Sequence, residues 1–183
     1  LRSGTIDPDH IYGWARKTKA YYDDFYNCVL NNCSEFSEGY FNVSLRYPDA
    51  WAAMDPQKKK QAACGMALEA AQYLAFNDGL WHEMATWYGH RTFPLISDFQ
   101  SALSWEDLYS DPLGAWVAAR AIEMPGDFTQ NVSIVTAREL KKRGLVDTDR
   151  ARSITRTMEN IAYEEDPFAK KIGGETGDDP DWL

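Results

Sequence analysis

The segment DPQKKKQAACGMALEAAQYLAFNDGLWHEMATWY, Asp55 to Tyr88, decides the fold class. Asp55-Pro56 is a helix-start signal, a capping carboxylate followed by a proline at the first helical position. Beyond it Ala62, Ala63, Met66, Ala67, Ala70, Tyr73, Leu74, Phe76, Leu80, Met84 and Trp87 recur at three- and four-residue spacing. That period predicts one long helix with a wide apolar stripe, and its alanines let neighbouring helices approach closely. Gly79 costs the helix some stability and marks a bend, and Gly89 is its expected stop.

Working outward, Asp7-Pro8 repeats the start signal and introduces a helix with an aromatic face: Ile11, Trp14, Ala15, Thr18, Tyr21, Tyr22, Phe25, Tyr26 and Val29. After a polar link, FNVSLRY alternates Phe41, Val43, Leu45 and Tyr47, a half-buried strand or hairpin arm. Further helix starts are expected at Ser104, with Glu106 and Asp107 in the first turn, and at Asp111-Pro112. Ser133 to Arg143 and Asp147 to about Ile161 read as two more amphipathic helices. The fold class is mainly α: a single-domain helical bundle over residues 1–183 around one long central helix. A small β element lies near residues 40–47, and a polar acidic tail runs from about 164.

Composition narrows the function. The chain has 183 residues, 44% of them hydrophobic and 14% aromatic, with seven Trp and ten Tyr. So many rings either fill a core or line a cleft. A formal charge of −9 argues against nucleic acid and anionic membranes as partners. No run of 18 apolar residues is present, so no transmembrane segment is expected. Seven basic residues between Arg138 and Arg156 read as a solvated helix face opposite the polar tail, with docking of a phosphate or an acidic partner as the alternative. The chain starts with Leu1, which fits a form whose leader has been removed. Cys28, Cys33 and Cys64 are expected to be three ordinary buried or half-buried thiols. Asn32, Asn42 and Asn131 each open an Asn-x-Ser triplet, meaningful only in a eukaryotic secretory setting.

The chemistry is concentrated in WHEMATWYGH, residues 81–90. A zincin needs HExxH, two histidines one turn apart, and the position four after His82 is Thr86. The zincin reading therefore fails. His90 lies about 80° round a continued helix from His82 and beyond Gly89. Asp78, His82 and Thr86 stack at four-residue spacing, so Asp78 is placed to orient the imidazole. His10, with Asp7 beside it at the start of the first helix, is the natural complement from a second element. Should His10 approach His82 and Glu83, the set suits one divalent ion, Zn²⁺, Fe²⁺ or Mn²⁺. The competing view makes His82 a core histidine satisfied by Asp78, and His10 an exposed cap residue.

The strings WHEMATWYGH, FQSALSWEDLYSDPLGAW and GTIDPDH together resemble an uncharacterised bacterial family, a domain of unknown function with WHExATWYG and EDLYSxLLG signatures. The resemblance spans roughly residues 4 to 122. It carries Gly4, Ile6, Asp7, His10, Trp81, His82, Glu83, Thr86, Trp87, Tyr88, Gly89, Ser104, Glu106, Asp107, Leu108, Tyr109, Ser110 and Gly114. Asp111-Pro112 departs from the Asn-Leu pair expected there. The resemblance implies a bacterial source and export to the periplasm or cell envelope, and it supplies no activity.

Three functions compete on this sequence. In a metal-dependent hydrolase His10, His82, Glu83 and Asp7 hold the ion, Glu83 or Glu106 acts as base, and Trp81, Trp87, Tyr88, Trp105 and Tyr109 line the groove for a small-molecule or glycan substrate. Asp78 and Thr86 then support the site from behind. In a metal-free glycosidase Glu83 is the acid, and Asp7 or Glu106 its partner. In a non-enzymatic helical envelope or binding protein Glu83 pairs with Arg46, Arg91 or Arg120 and only fixes helix packing. No GxSxG or phosphate-binding glycine loop occurs, so no nucleotide cofactor is indicated, and the oligomeric state is left open.

Overall fold

The computed structural model describes residues 6–92 and 105–146, together with 149, 150, 152–154, 156 and 157. The chain is mainly helical with one small antiparallel sheet. Its elements are α1 (Pro8–Leu30), β1 (Glu35–Glu38), β2 (Phe41–Ser44), the single-turn α2 (Ala50–Ala53), α3 (Pro56–Thr92), α4 (Trp105–Glu123) and α5 (Phe128–Lys142). Ser3–Lys141 is one compact unit, and the core and the candidate site described below belong to it.

α1 forms as its sequence dictates. Asp7 is extended, and its carboxylate accepts from the Asp9 and His10 backbone N–H groups at 2.7 and 3.3 Å, while Pro8 fills the first helical position. Ile11, Trp14, Ala15, Thr18, Tyr21, Phe25 and Val29 are buried along one stripe, and Tyr22 and Tyr26 flank it half-buried, stacked at 5.7 Å. α1 is the common wall of three core clusters. With α4 and α5 it packs Ile11 and Ala15 on Leu113, Val117, Val132 and Val135. With α3 and α4 it packs Trp14 and Tyr21 on Ala71, Leu74 and Ala115. Its C-terminal half joins α2, α3 and the hairpin through Phe25, Val29, Trp51, Ala63 and Ala67.

The hairpin pairs Phe36 with Val43 and Glu38 with Phe41, so the expected strand acquires a partner from the preceding link. Asp55 caps α3 by accepting from the Gln57 and Lys58 N–H groups. α3 does not stop at Gly89 but runs on to Thr92.

The buried face of α3 differs from the expected stripe. Ala63, Ala67, Ala71, Leu74 and Ala75 are buried, whereas Met66, Tyr73, Phe76, Leu80 and Met84 are exposed. The helix turns its small side chains to α1 and α4 because only they permit a close approach, and the bulky ones are left outside.

The helix start expected at Asp111-Pro112 is also corrected. α4 begins at Trp105 and passes through Pro112 without ending. Proline there removes one backbone donor inside the helix. Ser104, the acidic tail and most of the segment expected to be helical after Asp147 lie outside the described residues, although 149, 150, 152–154, 156 and 157 are helical.

Two further points concern side chains. Cys28 and Cys33 form a disulfide with a Cα–Cα distance of 5.1 Å, leaving Cys64 as the free thiol. The odd cysteine count hid this pair, which the turn after α1 brings together. Asn131 is buried, its amide donating to the Ala121, Met124 and Pro125 carbonyls at the end of α4. It serves as a C-terminal cap and is closed to glycosylation.

Candidate metal centre

The N-terminus of α1 lies against the first two turns of α4. Asp107, Asp111 and Gly114 recur at four- and three-residue spacing, with Ser110 beside them, so all four share the α4 face turned to α1. Contact is closest at Gly114. A β-carbon there would sit 2.6 Å from the Ile11 carbonyl oxygen and 2.9 Å from Trp14 Cβ, so only glycine permits this approach. Ser110, fully buried, accepts the Asp7 backbone N–H through its Oγ at 2.9 Å. The capping residue of α1 is thus anchored to α4.

This docking carries His10 into a ring of carboxylates. His10 Nδ1 lies 2.8 Å from Asp111 Oδ1 and 3.5 Å from Asp107 Oδ1. Asp7, His10 and Asp107 each present a ligand atom within 4.8 Å of the others, a set able to hold a metal ion. Asp107, Asp111 and Glu83 are buried, whereas Asp7 and His10 are half-buried. The centre is thus walled by α3 and α4 and reached from the α1 side.

Electrostatics follow from that packing. Burial works against the charged form of His10, but the hydrogen bond to Asp111 and the charges of Asp107, Asp111 and Asp7 outweigh it and raise its pKa. Burial pushes the Asp111 carboxyl up to about 6 against the opposing pull of His10, with the charges of Glu83 and Asp107 adding to the rise. Asp111 Oδ2 is buried without a hydrogen-bond partner among the described residues. It faces α3 at Gly79, where an added β-carbon would come within 3.1 Å of it. Gly79 therefore provides room for the Asp111 carboxylate rather than serving only as a bend.

The residues expected at the site distribute as follows. Asp7 and His10 are at its centre, and Glu83 is close enough for its charge to act on Asp111. His82 is exposed on α3, its ring edge-on to Trp14 at 6.4 Å between centroids, and it is outside the Asp7–His10–Asp107 set. Asp78 does not orient His82. It accepts the Tyr21 hydroxyl at 2.6 Å and pairs with Lys17, both from α1, because its burial requires partners that the exposed imidazole does not offer.

Glu106 and Thr86 are half-buried, and Glu106 is likewise outside the set. Arg120, one of the expected partners of Glu83, pairs with Glu123 on its own helix at 2.9 Å. Trp81, Tyr88 and Tyr109 are exposed. The side chains of Trp87, Trp105 and Arg91 lie outside the described residues.

Sequence reading favoured Glu106 over Asp107 and treated Asp111 as a helix cap. The signal that would have found them is the Asp107, Asp111, Gly114 spacing, which places two acids in line with a close-packing glycine on one helix face.

No curated protein and no solved structure matches the chain. A family model does, over residues 1–165. The chain belongs to the family described as "Protein of unknown function (DUF4056)".

Proposed function

We propose that Asp7, His10 and Asp107 bind a divalent cation and that the protein is a metal-dependent hydrolase of the cell envelope. The observation that carries this reading is the convergence of those three side chains within 4.8 Å, with Asp111 hydrogen-bonded to the same imidazole. One nitrogen with carboxylate oxygens suits Zn²⁺, Fe²⁺ or Mn²⁺.

A bound cation lowers the pKa of a coordinated water toward neutrality. Held by Asp7, His10 and Asp107, a cation would supply such an activated water as nucleophile, and a neighbouring carboxylate would take up its proton and return it to the leaving group. Trp81, Tyr88 and Tyr109, exposed on the two helices that bear Glu83 and Asp107, offer rings for a glycan or similar substrate. The Cys28–Cys33 disulfide supports an oxidising compartment, as does the export that the family resemblance implies. No helix of the described residues is long and apolar enough to cross a membrane.

The test is elemental analysis and thermal unfolding of protein purified without an affinity tag. Bound Zn, Mn or Fe, or a rise in Tm on their addition that is lost in His10→Ala, supports the reading. Absence of both refutes it. Hydrolysis of glycoside, ester and amide probes, abolished by a chelator and restored by the metal, then identifies the reaction class.

A further inference from the structure

The long helix α3 leaves its bulky side chains outside. Met66, Tyr73, Phe76, Leu80, Trp81 and Met84 are each between 38% and 68% exposed. Spacings of three, four and seven residues gather them into one stripe with Trp81 at its edge, about 27 Å long at 1.5 Å per residue. At ~200 Å² per large side chain, these fractions leave about 600 Å² of side-chain surface in water. That is the upper end of what the largest apolar patch of a monomer reaches, and about three quarters of one partner's share of a standard interface.

The charge beside the stripe decides what fits it. From Gln61 to Tyr88 the sequence contains no Lys or Arg, and of its three acids Asp78 and Glu83 are buried and only Glu69 is exposed. A helix that lies on a lipid surface carries basic residues beside its apolar face, and this stretch has none. A surface poor in charge and rich in aromatic rings and methionine is the composition of a protein–protein interface core. It also imposes no row of like charges on two copies of a chain whose net charge is −9.

We infer that the stripe is the interface of a homodimer, in which α3 packs antiparallel on α3 of a second copy. The stripe is complementary to itself. With the two-fold axis near Asn77, Phe76 of one copy comes beside Leu80 of the other, and Tyr73 beside Trp81, as an isologous contact requires. Tyr73 also borders an apolar groove between α3 and the hairpin, lined by Phe25, Phe41, Val43 and Leu74. A large ring from the second copy is the kind of side chain that anchors an interface in such a groove. The inference is independent of the metal reading. Trp81 is common to this interface and to the rings assigned to the substrate, so the test uses Tyr73, Asn77 and Leu80, which belong to the interface alone.

The experiment measures the mass of the whole 183-residue chain by light scattering at micromolar concentration. A dimer is expected for the parent, and a monomer with the parent's helical circular dichroism for the double variant Tyr73→Glu, Leu80→Glu. The pairing itself is read with a short bismaleimide in a Cys64→Ser background, which removes the free thiol. Asn77→Cys should cross-link two copies, whereas Gln130→Cys, exposed on α5, should not. A monomeric parent overturns the inference, whether the chain's own residues or a different protein then cover the stripe. So does a dimer that survives the double variant, or one that cross-links at Gln130→Cys and not at Asn77→Cys. If the double variant fails to fold, the parent's mass and the two cross-links decide alone.

Discussion

Gly114 and Ile11 are in backbone contact: a β-carbon on Gly114 would sit 2.6 Å from the Ile11 carbonyl oxygen and 3.2 Å from its carbonyl carbon. Neither atom can yield without moving α1, the helix that carries Asp7 and His10. Gly114→Ala is therefore expected to cost about 3 kcal/mol in urea unfolding and to weaken divalent-metal binding at the same time. A variant as stable as its parent would show that the helices are not this close.

Gly79 presents the complementary case. Alanine gains about 1 kcal/mol in helix propensity, and the flexible Asp111 carboxylate, not backbone, is what its β-carbon meets at 3.1 Å. Gly79→Ala is expected to fold with stability within about 1 kcal/mol of the parent while shifting the Asp111 carboxylate on His10 and weakening divalent-metal binding. Unchanged metal affinity in a well-folded Gly79→Ala would remove the role assigned to that space.

Asp78 separates stability from the metal centre. It is 3% exposed and holds Tyr21 and Lys17 from α1. Asp78→Ala leaves a buried hydroxyl and an ammonium without their carboxylate, an expected loss of about 3 kcal/mol, partly recovered by adding Lys17→Met. Metal affinity of the folded fraction should not change, and a loss of affinity would mean that Asp78 takes part in the centre.

The Tyr21 phenol gives a pH signature. Burial first, then its hydrogen bond to Asp78 and the charges of Asp78 and Glu38, push its pKa well above the usual phenol range. A folded-state pKa above the unfolded value contributes stability that is complete below about pH 10 and is lost as pH rises toward the folded value. The parent should thus lose stability more steeply than Tyr21→Phe above about pH 10. Lys17 and Glu38, which also face this group, are present in both proteins, so the difference between the two unfolding profiles isolates Tyr21. Parallel profiles would contradict the assignment.

The disulfide is tested by counting thiols. Denatured protein should expose one thiol, Cys64, before reduction and all of Cys28, Cys33 and Cys64 after it. The bridge spans a sequence separation of only 5, so replacing both partners with serine is expected to cost about 2 kcal/mol. Three thiols in protein isolated under non-reducing conditions would argue against both the bridge and an oxidising compartment.

Which parts of the fold were legible follows from the range of the forces involved. The Asp7 and Asp55 caps, the starts of α1, α3 and α4 and the buried face of α1 are written in neighbouring residues, because capping and helical period are local. The face of α3 was not legible in the same way. Met66, Tyr73, Phe76 and Leu80 are more hydrophobic than the alanines and glycine beside them, yet the smaller residues are inside. Close packing between helices selects for size as well as for hydrophobicity, and the sequence of one helix does not say how near its neighbours come.

The site shows the same division. Sequence alone marked Asp7, His10 and Glu83 as chemistry-bearing, because polar groups beside an aromatic helical stripe are expensive without partners. Only tertiary structure decided that His10 meets Asp107 and Asp111, about a hundred residues away, rather than His82, and that Asp78 turns to Tyr21 and Lys17. That choice is made where α1 docks on Gly114, since hydrogen bonds and charge pairs form only between groups that backbone packing has already brought within a few ångströms.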